Sequence, residues 1–298
     1  MRLTGLHILL TYDCDRACAH CFVWGAPRSR GTFSEEGIEV AVRQAHETPG
    51  IDNVWFEGGE PFLHPDVLAA GVHAAGAFGL RVGVVTNAFW ASSARAATEA
   101  LQPLAGRVAT LLVSADPLHW GGAWRKREQL ARTAAEAAGM SCSPIVIPGR
   151  PPGGAGPAPA MAGVMHRGRA AVKLAPRVAG AAWESFTRCP HEPLAAPARV
   201  HLDPLWNVHL CQGLTAGHIR LNPLATLCAG YDPVAHPVVG PLVRGGPAEL
   251  LRAYGLPPRP RYADACHACY EARLALRARF PEWLGPDQMY GAGQGNLL

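Results

Sequence analysis

Three cysteines fall within eight residues near the start of the chain, in YDCDRACAHCF (residues 12–22), spaced as Cys14-x3-Cys18-x2-Cys21. Zinc sites and disulfide frameworks use cysteines in twos and fours, so a trio describes a metal centre one protein ligand short. Three thiolates on one tight loop can hold three irons of a [4Fe-4S] cube, in which each iron normally takes one cysteine, and leave the fourth iron open to an outside chelator. The competing reading is a structural zinc site that borrows its fourth ligand from His20 or from a distant cysteine.

The second chemical feature is GGEP, residues 58–61. Gly58 and Gly59 let the backbone approach a bound group closely and take conformations barred to other residues, and Glu60 supplies an anion for an amino group. The elements that must position these groups are strands. They are LHILLTY (6–12), NVWFE (53–57), RVGVVT (81–86), VATLLVS (108–114) and SPIVI (143–147). Ala-rich amphipathic stretches between them predict helices from about Ser34, Pro65, Ser92 and Arg125. This is the pattern of repeated βα units and a parallel sheet. The cysteine trio follows the first strand, GGEP the second, TNA (86–88) the third and SADPLH (114–119) the fourth. In a barrel of parallel strands the carboxyl ends open to one face, where such folds keep their active sites. His119 follows Ser114 and Asp116 at that rim, where it could relay a proton, orient substrate or make a purely structural hydrogen bond.

Cys14-x3-Cys18-x2-Cys21 followed by Gly58-Gly59-Glu60-Pro61 resembles the radical S-adenosylmethionine (radical SAM) superfamily, over the first half of the chain. The resemblance implies that Cys14, Cys18 and Cys21 hold a catalytic [4Fe-4S] cluster and that S-adenosylmethionine chelates its open iron. Gly58, Gly59 and Glu60 would orient the cofactor's amino end. Electron transfer from the reduced cluster would split the cofactor to methionine and a 5'-deoxyadenosyl radical, which abstracts hydrogen from a substrate. That chemistry belongs to the cofactor, while the protein binds and orients. The resemblance also implies ring packing for His20 near the adenine, cofactor contacts for Thr86, Asn87, Ser114 and Asp116, and a reductant such as flavodoxin or ferredoxin. Ala88 departs from the pattern, standing where many relatives have glycine.

After residue 147 the βα pattern breaks. PGRPPGGAGPAPAMAGVMHRGRA (148–170) reads as a long loop or linker, with Arg167 and Arg169 as solvated loop arginines and contact with a carboxylate as the alternative. RVHLD and NVHLC flank PLW and predict a hairpin over 199–211, and CYEARLALRARF predicts a helix over 269–280. This region holds Cys189, Cys211, Cys266 and Cys269, four thiolates that are enough to close a second cluster. The set resembles twitch, the shortened form of the SPASM auxiliary-cluster extension, and the resemblance implies one auxiliary [4Fe-4S] cluster. Trp206 stands where relatives usually have glycine, five residues before the hairpin cysteine. Cys266-x2-Cys269 also matches a thioredoxin-like redox pair or half a zinc knuckle. Cys228 reads as a buried inert thiol, with a replacement ligand as the alternative, and Cys142 as core.

A chain of 298 residues can bury a large core, and a net charge of +4 (27 basic against 23 acidic) gives no reason to expect nucleic acid as partner. No signal peptide or membrane span is expected, so the chain is expected in the cytoplasm, where spaced cysteines serve as ligands or catalytic groups. The combined expectation is an α/β enzyme. A partial (βα)6 TIM-type barrel would cover residues 1–180 and a small SPASM/twitch-like auxiliary-cluster domain residues 181–298, acting on a peptide or small-molecule substrate. The alternatives are an iron-sulfur electron-transfer or binding protein on the same scaffold without radical chemistry, and a scaffold with zinc in both cysteine groups.

Overall fold

The computed structural model describes residues 1–147 and 163–292. In β1 (Gly5–Thr11), Leu6, Ile8, Leu9 and Leu10 all have 0 % exposure, so both faces of the strand are covered. That is how the central strand of a parallel sheet is buried. On one side β1 pairs in parallel with β2 (Asn53–Gly58), and β3 (Arg81–Thr86), β4 (Thr110–Ser114) and β5 (Ser141–Ile145) continue outward, each parallel to the last. These are the five predicted strands; β3 has its predicted bounds, and the others shift by one or two residues at their ends.

The intervening helices start where the sequence provides caps. The Ser34 hydroxyl accepts from Gly37 N at 3.0 Å to open α1 (Glu35–His46), whose Ile38, Ala41, Val42 and Ala45 form the buried stripe. Proline opens α2 (Pro65–Ala77), and Ser93 rather than Ser92 caps α3 (Ala94–Leu101). Asp116 caps the single turn α4 (Pro117–Trp120), which leads into α5 (Trp124–Ala137).

Residues 148–162, most of the long Pro- and Gly-rich segment, lie outside the described residues. The rest of that segment does not behave as a solvated loop. His166, Arg167 and Arg169 are only 1 %, 4 % and 3 % exposed, because the chain enters α6 (Arg169–Lys173) beneath the cysteine loop, as the contacts below show. A two-residue strand, β6 (Ala181–Ala182), then pairs with β10 (Arg261–Tyr262) as a small separate ribbon.

The hairpin expected over 199–211 is present and does more than expected. Its first strand, β7 (Arg199–Leu202), lies parallel to β1 on the flank away from β2, so it is the sixth parallel strand. Pairing there satisfies the backbone groups of β1 that β2 does not reach. From β7 the sheet continues antiparallel through β8 (Asn207–Cys211) and β9 (Leu214–His218), giving the order β5-β4-β3-β2-β1-β7-β8-β9. The result is an α/β fold with a mostly parallel sheet; among the described residues no strand pairing joins its edges. Helices α7 (Leu224–Gly230), α8 (Val239–Ala253) and α9 (Ala265–Leu276) follow. The last begins four residues before its predicted start, because Asp264 Oδ1 accepts from His267 N at 2.7 Å and caps it. No described helix is long and apolar enough to cross a membrane.

Candidate active site

The cysteine loop springs from the carboxyl end of β1 and is clamped from three directions. Below it, the Tyr12 hydroxyl donates to Asp203 Oδ2 at 2.8 Å, across 191 residues. From behind, Arg169 donates to the carbonyls of Cys18 (2.9 Å), Trp24 (3.1 Å) and Gly25 (3.0 Å). Beside it, the end of β2 docks through Gly59 N to Thr11 O (2.7 Å) and Glu60 N to Asp13 O (2.8 Å). This last contact explains both glycines of GGEP. Gly58 has φ +144, and a Cβ at Gly59 would lie 2.0 Å from Asp13 O, so no side chain fits between the two loops.

Glu60 is fully buried, and its carboxylate faces the next strand-end rather than the cavity. It accepts from Thr86 Oγ1 (2.8 Å), Asn87 N (2.7 Å) and Phe62 N (3.1 Å). Burial pushes its pKa up to about 7, against the pull of those hydrogen bonds. Asn87 passes the order on, donating from Nδ2 to Asp15 Oδ1 at 2.6 Å beside Cys14. Ala88 has φ +58, so the loop keeps the left-handed turn for which glycine is the easier residue. At the fourth strand-end, Asp116 accepts from Leu118 N (2.8 Å) and from His119 Nδ1 (2.9 Å). The rings of His119 and His20 meet edge to face at 4.5 Å, and burial, then His119, lowers the pKa of His20 to about 4.

These groups surround one cavity of about 480 Å³. Cys14, Cys18, Cys21, His20, Gly58 and Gly59 line it, as do Thr86, Asn87, Ser114, Asp116 and His119; Glu60 does not. Burial raises the pKa of the Cys14 thiol and brings that of Cys18 to about 12, so in the free chain both are neutral. Four thiolates around one zinc sit about 3.8 Å apart, from a Zn–S bond of about 2.3 Å. Among the described residues the donor groups gathered within 4.8 Å of one another contain no cysteine, so the trio is spread wider than one ion would draw it.

The other predicted cysteines meet at a second place. Cys189, Cys211, Cys266 and Cys269 all line a small enclosed space of about 20 Å³, together with Arg167 and Arg273. Their sulfurs are likewise not gathered at single-ion spacing. Arg273 is 1 % exposed and donates to Gln212 O at 2.8 Å, and the Nε atoms of both arginines are buried without a hydrogen-bond partner. Two guanidiniums against four cysteines fit a group of net negative charge. Cys228 is elsewhere, in α7, with its carbonyl bonded to the amino terminus. Cys142 is half-buried on edge strand β5 rather than in the core.

The sequence reading took Arg167 and Arg169 for solvated loop arginines and passed over Arg273 and Asp15, because the roles of all four depend on partners far away in the chain.

Residues 8–149 match the model described as the Radical SAM superfamily. No curated protein matches the chain. Among solved structures, Streptococcus suis SuiB bound to S-adenosylmethionine is similar at 24 % identity with a TM-score of 0.38, covering 48 % of this chain and 33 % of that one. The chain thus spans about a third of the length of SuiB (33 %). Methylornithine synthase PylB is similar at 15 % identity with a TM-score of 0.37, covering 48 % of this chain and 44 % of that one. BtrN in complex with AdoMet and 2-DOIA shares the fold with a TM-score of 0.50 at 13 % identity, over 76 % of this chain and 81 % of that one. The stretch that matches the Radical SAM superfamily model, residues 8–149, is thus the one that carries the three cysteines and the Gly-Gly-Glu-Pro turn.

Proposed function

We propose that the protein is a radical SAM enzyme, cleaving S-adenosylmethionine reductively to draw hydrogen from a peptide or small-molecule substrate, with electrons from a flavodoxin- or ferredoxin-type reductant in the cytoplasm. The observation that carries this reading is the convergence of the cysteine trio, the Gly58-Gly59 turn and four polar strand-end residues on one cavity of about 480 Å³. When bound, the reduced [4Fe-4S] cluster supplies the electron that breaks the cofactor's carbon–sulfur bond.

The chain's own part is to bind and orient. Cys14, Cys18 and Cys21 are the cluster ligands. The Gly58-Gly59 backbone lies open to the cofactor's amino end, and Glu60 acts one step behind it, holding Thr86 and Asn87 at the wall. Ser114 and Asp116 serve the ribose side. Asp116 accepts a hydrogen bond from Nδ1–H of His119, which leaves Nε2 as the atom able to hold or pass a proton in the cavity. His20 packs beside it toward the adenine. The sheet is read as a partial barrel. Residues 181–298 are read as a SPASM/twitch-like domain, with Cys189, Cys211, Cys266 and Cys269 holding a second [4Fe-4S] cluster whose net negative charge Arg167 and Arg273 offset.

The test is anaerobic reconstitution with iron and sulfide counting. Replacing Cys14, Cys18 and Cys21 together by alanine is expected to remove about half of the iron and all reductive cleavage. The Cys266→Ala, Cys269→Ala double variant is expected to lose the other half, retain uncoupled cleavage and become protease-sensitive in the C-terminal region. Cleavage by the triple variant would refute the catalytic assignment, and full iron content or bound zinc in the double variant would refute the auxiliary one.

A further inference from the structure

The same cavity is lined by three side chains that the radical chemistry does not use: His7, Glu57 and His201. They come from β1, β2 and β7, the three central strands. The registers set His7 opposite His201 and opposite Trp55, and Glu57 follows Trp55 by two residues, so all three project from one face of the sheet. Glu57 Oε1 lies 3.1 Å from His201 Nε2 and 3.5 Å from His7 Nδ1, and one donor atom from each residue falls within 4.8 Å of the others. The His7 ring is held in place by stacking on Trp55 at 5.8 Å.

As a hydrogen-bonded group this cluster is poorly made. Glu57 Oε1 and His201 Nε2 are within hydrogen-bond distance at 3.1 Å, but His7 Nδ1, 3.5 Å from the carboxylate, and His201 Nδ1 are buried with no hydrogen-bond partner. Nor is the carboxylate matched by a fixed cation. Arg167 and Arg199, which line the same cavity, are directed to Glu192, at 3.2 and 3.6 Å. A buried carboxylate set against two imidazole nitrogens, with His7 Nδ1 left unsatisfied beside it, is a donor set with a place for a positive charge at its centre.

We propose that His7, Glu57 and His201 bind a divalent transition metal, zinc or iron(II), that keeps coordination positions open to the cavity for a substrate oxygen or nitrogen. Donors held about 2.0–2.2 Å from one ion lie roughly 3.0–3.6 Å from each other, which spans both observed separations. Two imidazoles and a carboxylate with open positions suit zinc or iron(II), and the lack of a thiolate sets this site apart from both cysteine groups. Each ligand is donated by a different strand of the rigid sheet, so the site is built before the metal arrives. The ion adds to this cavity a Lewis acid that can fix a polar substrate group, whichever radical reaction takes place beside it.

The experiment uses the full chain with its clusters reconstituted, incubated with zinc sulfate and freed of loose metal by gel filtration. It is expected to retain about one zinc per chain, with a zinc K-edge absorption spectrum showing nitrogen and oxygen neighbours at about 2.0–2.1 Å and no sulfur. Glu57→Gln, which keeps the side chain's size, and His201→Ala are each expected to lower zinc retention about tenfold or more, with iron content unchanged. Iron thus reports on the cluster assignment and zinc on this one. Zinc bound through sulfur, zinc retained equally by Glu57→Gln, or no zinc retained by the intact chain would overturn the proposal.

Discussion

Arg167 Nη1 lies 2.9 Å from Cys211 Sγ and 3.2 Å from Glu192 Oε1, and the side chain lines both the large cavity and the four-cysteine pocket. One buried guanidinium thus faces both candidate centres. Arg167→Gln strips Glu192 of its close partner, and Arg199 at 3.6 Å, half exposed, replaces little of it. Breaking a buried pair costs about 3 kcal/mol. Anaerobic urea denaturation is expected to show a loss of that order, with the C-terminal share of the iron falling first. Arg167→Lys, which keeps charge without the planar fork, should fall between. A glutamine variant as stable and as iron-rich as the parent would contradict this role.

Glu60 makes stability depend on pH. Its pKa in the fold is about 7, above the ordinary 4.5, because burial disfavours the charged form. Its contribution is therefore complete below the ordinary value and is lost as pH rises through about 7. Between roughly pH 5 and pH 8 the unfolding free energy should fall by on the order of 3 kcal/mol from this group. Glu60→Gln should flatten that slope, keep the iron and weaken S-adenosylmethionine binding, since the Thr86–Asn87 wall loses one acceptor. Denaturation midpoints across that range, with binding by calorimetry, check both.

Asp264 holds the start of the helix that carries Cys266 and Cys269. It caps His267 N at 2.7 Å and takes both His166 N (3.1 Å) and His166 Nδ1 (2.8 Å). Asp264→Ala is expected to cost about 1–2 kcal/mol and to lower iron retention at the C-terminal site. Asp264→Asn, still a capping residue, should keep most of both. Equal losses in the two variants would show that charge rather than capping is what matters.

Trp206 sits at φ +73 in the turn between β7 and β8, a conformation that suits glycine. The ring nevertheless packs edge to face on Phe33 at 4.9 Å, with Arg220 above it at 4.4 Å. Removing it relieves about 1–2 kcal/mol of left-handed strain and forfeits about 3–5 kcal/mol of ring burial. Trp206→Gly is therefore expected to destabilise the chain by about 2 kcal/mol. A stabilised glycine variant in thermal melts would reverse that order of effects.

The sequence by itself determined what is local. Cysteine spacing, the Gly-Gly turn, the apolar strand runs and the Ser and Pro helix starts are each written in a few adjacent residues, and the five strands, the hairpin and both cysteine groups follow from them. Even the departures at Ala88 and Trp206 were visible, although only the backbone showed that each keeps a left-handed turn. Tertiary structure decided which distant segments meet. Parallel β7 beside β1, Tyr12 on Asp203, Arg169 beneath the cysteine loop and the His7–Glu57–His201 group all join residues far apart in the chain. An apolar run states that a strand is buried but not which strand will be its neighbour. An arginine reads as solvated until packing encloses it with carbonyls and thiols that satisfy or need its charge.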